Sequence, residues 1–123
     1  MDPYSTERDL WWFSLSSASN GGVRVIALQG RVGAAAARPL ADALADAVTE
    51  ERRLVVDLAA LNYISSSGID AIERGAKEAR GRGGILVLCA LQDPVRIAFE
   101  FSGALSEMAV EPSLEAARAR ALR

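Results

Sequence analysis

The sequence predicts an α/β domain with a largely parallel sheet, and three observations carry that prediction. Apolar runs of strand length alternate with segments of helical period along most of the chain. Residues 85–91 (ILVLCAL) contain no polar side chain, as expected of a strand covered on both faces. The runs at 54–58 and 85–91 each lead into a helical segment, so neighbouring strands are joined by crossovers, which are right-handed by strong preference. At 123 residues the chain suits a single domain with its own core.

The elements follow in order. Residues 1–9 are polar and read as a flexible N-terminus, leaving 10–123 as the domain. Residues 10–15 (LWWFSL) have the content of a strand, with Trp11, Phe13 and Leu15 on one face and Leu10 and Trp12 on the other. Core packing and edge cover explain the paired tryptophans; the sharper reading makes Trp11 or Trp12 an anchor for a partner or a second copy of the chain. Residues 16–22 (SSASNGG) read as a turn and 23–28 as the second strand of a hairpin. Residues 30–33 (GRVG) break that strand. A helix is expected to begin near Arg38, with Pro39 in its first turn and apolar positions at 37, 40, 41, 44, 45 and 48.

Residues 54–58 (LVVDL) read as a buried strand, and a second helix over 69–80 carries Ile69, Ile72, Ala76 and Ala79 on its inner stripe. Gly81, Gly83 and Gly84 end it. Asp93 as a capping acid and Pro94 in the first turn start a third helix that runs to Ser102 and stops at Gly103. Residues 105–110 offer a weak last strand, and Ser113 caps a final helix to Leu122.

Composition narrows function. Net charge is −2 with acids and bases interspersed, so nucleic-acid binding has no electrostatic footprint. With no histidine, a histidine-based triad is ruled out and the commonest zinc ligand is missing. The single cysteine, Cys89, lies inside an apolar run and reads as a buried, inert thiol. No stretch is long and apolar enough to insert in a bilayer and no signal peptide is visible, so a cytoplasmic protein is expected. There is no nucleotide loop of the G-x-x-x-x-G-K-[ST] type, and no base or metal cluster points to an enzyme or a cofactor.

What remains is the hydroxyl cluster Ser65-Ser66-Ser67-Gly68 at the mouth of the second helix. Ser67 with Asp70 three positions on has the form of a capping box, which assigns Ser67 and Asp70 to structure. Gly68 leaves the first turn open, and Ser66 then stands one residue ahead of the cap with a free hydroxyl. A phosphate there would carry roughly −1.5 to −2 charges at the positive end of a helix, a position the fold tolerates. The plain alternative is that residues 65–67 are simply a turn.

On these residues the chain resembles the STAS domain family, and within it the bacterial anti-sigma factor antagonists. The likeness rests on Val55-Val56-Asp57-Leu58, then Tyr63-Ile64 and Ser65-Ser66-Ser67-Gly68-Ile69. Residues 25–32, 79–88 and 93–103 extend it upstream and downstream. The resemblance implies a mostly parallel sheet with helices wound as a β–α superhelix behind an N-terminal hairpin. It also implies a switch in which Ser66 is phosphorylated by an anti-sigma factor that doubles as a serine kinase of histidine-kinase-like ATPase type. A PP2C-type phosphatase would reset it. Two positions where the family carries acids are here Ser65 and Gly33, a departure expected to weaken phosphorylation or alter partner choice. The second reading is a STAS subunit without a phosphoryl cycle, attached to a lipid-transport ATPase or a stressosome-like complex.

Overall fold

A computed structural model describes residues 13–123 of the chain. Over these residues a five-stranded sheet has the order β1-β2-β3-β4-β5. Strands β1 (Ser14–Asn20) and β2 (Val23–Val32) are antiparallel. Strands β2, β3 (Arg53–Ile64), β4 (Ile85–Cys89) and β5 (Ala109–Glu111) are parallel. Because consecutive strands are also neighbours, helices α1 (Ala37–Glu50), α2 (Ser66–Gly81) and α3 (Asp93–Ser102) are each a crossover between adjacent strands. They share one core with one face of the sheet, built on Ile26, Leu28, Leu54, Val56, Leu58 and Leu88. Helix α4 (Leu114–Ala121) follows β5 and covers the opposite face, where Ala117 and Ala121 meet Val23, Val55, Val87 and Cys89. Strand β4 and the first half of β3, residues 54–58, are therefore covered on both faces, the reason residues 85–91 carry no polar side chain.

The hairpin is shifted from its expected place. Residues 16–20, expected as a turn, are strand, and the turn is the pair Gly21-Gly22, both at positive φ (64° and 82°). Two residues between Asn20 and Val23 make the tight connection that antiparallel strands prefer. The serines misled because β1 is an edge strand whose residues beyond Leu15 are exposed, so nothing requires them to be apolar. Trp11, Trp12 and the N-terminal segment 1–9 lie outside the described residues.

Two strands run further than expected. β2 continues through Gly30 to Val32, passing irregularities in its pairing with β3 instead of stopping. β3 continues through Tyr63 to Ile64, because Val32 and Ile64 still pair and both point into the core. Helix α1 buries Leu40, Ala43, Leu44, Ala47 and Val48, a face turned from the expected one, with Ala45 exposed. The stripe expected on α2, namely Ile69, Ile72, Ala76 and Ala79, is buried as a unit. Helix α3 is capped at Gln92 rather than Asp93, which is its first residue. It does end at Gly103, in the left-handed region at φ 77°. Ser113 caps α4 by accepting the Ala116 N–H at 3.1 Å.

Candidate phosphoacceptor site at the start of helix α2

The parallel ends of β2 and β3 deliver the chain to this site. The Ser65 N–H donates to the Val32 carbonyl at 2.8 Å, a last sheet-like bond beyond the Val32–Ile64 pair. Ser65 is extended (φ −81°, ψ 166°), and helix α2 begins at the next residue. Its Oγ accepts the Gly68 N–H at 3.2 Å, and its carbonyl accepts the Ile69 N–H at 3.0 Å. Ser65 is therefore the N-cap.

This corrects the expected assignment of the cap to Ser67 and Asp70. Ser67 is the second helical residue, half-buried, with its Oγ 3.2 Å from that of Ser65. Asp70 is exposed and takes no part in the cap. The reason is register: β3 pulls Ile64 into the sheet, so the first residue free to leave it is Ser65, two positions before the one the pattern suggested. Ser65 Oγ thus does what a carboxylate oxygen at an N-cap does, accepting a backbone N–H, without the charge.

Gly68 is buried, and its role is close approach rather than an open turn. A Cβ there would lie 2.8 Å from both Val32 Cγ1 and Ile64 Cγ1. The first turn of α2 is pressed onto the ends of β2 and β3. Gly33, which follows Val32, has an ordinary φ of −82°, and a Cβ there would meet nothing within 4 Å. The backbone does not demand glycine at Gly33, and space does not exclude a side chain there.

Ser66 is left exposed, and its hydroxyl has no hydrogen-bond partner among the described residues. The site brings Ser65, Ser66, Ser67, Gly68 and, through Val32, Gly33 to one corner of the sheet. No acid occupies the first turn of α2, so no carboxylate there opposes the positive end of the helix dipole. One feature escaped sequence reasoning. Arg31 lies over the ring of Tyr63 at 4.3 Å from its centroid, placed there because the two residues pair across β2 and β3 immediately before the junction. Thirty-two positions separate them in sequence, and only strand register brings them together.

Cys89 is the other notable group. Burial, then the neighbouring Asp57 carboxylate, pushes its thiol from 9.0 up to about 12. Its Sγ lies 3.9 Å from Asp57 Oδ1. The thiol is protonated and unreactive at neutral pH, as its place in the sequence suggested. Among the described residues no group of three acids or cysteines is placed to hold a metal ion, and no helix is long and apolar enough to cross a membrane.

Residues 14–117 match the family described as the STAS domain. The chain belongs to that family. A protein of Bordetella bronchiseptica named as a candidate anti-sigma factor antagonist, BtrV, is 46% identical over 99 residues, covering 80% of this chain and 85% of that one. Among solved structures, an anti-sigma factor antagonist from Mycobacterium paratuberculosis has a TM-score of 0.83 at 20% identity, covering 90% of this chain and 95% of its own. The Bacillus cell fate determinant SpoIIAA in its phosphorylated form has a TM-score of 0.67 at 22% identity, covering 90% of this chain and 99% of its own. At these identities the structural likenesses establish the fold, which is that of the anti-sigma factor antagonists.

Proposed function

We propose that this STAS domain is an anti-sigma factor antagonist switched by phosphorylation at Ser66. Unphosphorylated, it binds an anti-sigma factor and thereby releases the sigma factor. That anti-sigma factor is also a serine kinase of histidine-kinase-like ATPase type. In the transfer step the Ser66 Oγ attacks the γ-phosphorus of ATP, the bond to ADP breaks, and the hydroxyl proton passes to a base of the kinase. The product carries about −2 charges on the surface the partner covered, and binding ends. A PP2C-type phosphatase hydrolyses the ester and restores the serine.

The observation that carries this reading is the division of labour among the three hydroxyls. Ser65 Oγ is committed to the cap and lies against Ser67 Oγ, whereas Ser66 is exposed and unpartnered among the described residues. The 46% identity to BtrV supports the antagonist role, and SpoIIAA supplies a protein of this fold with a phosphorylated form. Incubation with the cognate kinase and ATP, followed by peptide mass spectrometry, is expected to place one phosphate on Ser66. Ser66→Ala should abolish it. Phosphate on Ser65 or Ser67 instead, or none at all, would overturn the assignment and favour a STAS subunit without a phosphoryl cycle.

A further inference from the structure

Helix α3 turns an apolar stripe towards solvent. At about 100° per residue, Ile97 points directly away from Val95 and Phe99, which are buried. Pro94 and Phe101 fall within about 60° of Ile97 on one side. Ile97 is 50% exposed and Phe101 90% exposed. One such side chain on a surface needs no explanation, but an aligned group on one helix marks a contact. On the other side of Ile97, within about 60°, stand Asp93 and Glu100. Both are exposed, and neither forms an ion pair among the described residues.

The stripe begins towards the same end of the sheet as the switch, several strand residues below it. Helices α2 and α3 follow the carboxyl ends of adjacent strands β3 and β4, but β3 runs on through residues 58–64 beyond its last pair with β4 (Asp57–Cys89). Helix α3 therefore starts beside Ala59, to whose carbonyl Gln92 Nε2 donates at 2.7 Å, and α2 starts only after Ile64. From Pro94 to Phe101 the stripe descends about 10 Å at 1.5 Å per residue. A standard interface covers about 800 Å² on each partner, wide enough for a protein seated over Ser66 to reach the stripe.

We propose that the outer face of α3 is a second contact for the anti-sigma factor, whose docking segment presents apolar side chains flanked by Arg or Lys. This rests on the reading of the chain as an anti-sigma factor antagonist. Charge selects the occupant. An antiparallel two-fold pairing of α3 with a second copy would set Asp93 and Glu100 of one chain against the same acids of the other. A basic segment instead neutralises them while Ile97 and Phe101 are covered.

The test is calorimetric titration of the full-length chain with the cognate anti-sigma factor. Phe101→Ser and Glu100→Lys should each weaken binding on the order of tenfold, as expected of an anchor and its charged rim. Glu115→Lys, on the opposite face of the sheet, should leave affinity within about twofold and controls for net charge. Glu100→Lys removes no packed side chain, so the test survives if Phe101→Ser were to perturb folding. Wild-type affinity in both α3 variants, with binding still lost in Ser66→Asp, overturns the α3 contact and leaves the antagonist reading standing. Absence of binding by the wild-type chain overturns the antagonist reading itself. A wild-type dimer in ultracentrifugation that Phe101→Ser dissociates overturns the α3 contact in favour of a second copy.

Discussion

Ser65 and Ser67 differ by two positions and by the whole of their function. Ser65 Oγ satisfies the Gly68 N–H, an orphan donor of the first turn, while Ser67 Oγ bonds only to Ser65 Oγ. Ser65→Ala should therefore cost about 0.5–2 kcal/mol in urea denaturation, and Ser67→Ala clearly less. Equal losses would mean that the two hydroxyls share the cap. Cys89 offers a second check at this scale. Its folded-state pKa is raised from 9.0 to about 12, by burial first and by Asp57 second. Below pH 9 the thiol is protonated in both states and adds no slope. Between pH 9 and 12 the unfolded chain loses the proton first, so stability falls as pH rises. Urea titrations from pH 8 to 10.5 should show this slope in the wild type and a shallower one in Cys89→Ala.

At the scale of elements, the docking of α2 on β2 and β3 fixes where Ser66 stands. Gly68 permits it, because a methyl group there would push against Val32 and Ile64, whose side chains are themselves buried. Gly68→Ala should cost about 1–3 kcal/mol through overpacking. Gly33→Ala, in open space at an ordinary φ, should stay within about 0.5 kcal/mol. Thermal or urea unfolding of the two variants separates a glycine needed for contact from one that is not. Gly33 is then a position where an acid can be introduced to test its effect on phosphorylation of Ser66 without disturbing the fold.

At the scale of the molecule, the proposed switch changes what is bound and leaves the fold as it is. Ser66 is the first residue of a sixteen-residue helix with no acid in its first turn. A phosphate at that end meets the favourable pole of the dipole, an effect of about 0.3–1 kcal/mol at low ionic strength. Phosphorylated protein is therefore expected to melt at or slightly above the temperature of the unmodified protein, with the difference shrinking in high salt. A lower midpoint would show that the phosphate strains the junction and that the switch works through unfolding.

Much of this architecture was legible because burial leaves a periodic mark. Residues 85–91 must satisfy cores on both faces of the sheet, and the stripe Ile69, Ile72, Ala76 and Ala79 must satisfy one, so their composition announced strand and helix. Where burial is weak the pattern fell silent. β1 beyond Leu15 is exposed and serine-rich, and it looked like a turn until its pairing with β2 showed otherwise. The position of Ser66 in its family motif came from the sequence alone, which set it one residue ahead of the helix cap; the structure makes it the first helical residue, just after the cap. Three matters required the tertiary structure: that Ser65 is the cap, that Gly68 is held by Val32 and Ile64, and that Arg31 covers Tyr63. Each depends on where β3 ends relative to β2. That register is a contact between distant segments, and no local pattern of residues encodes it.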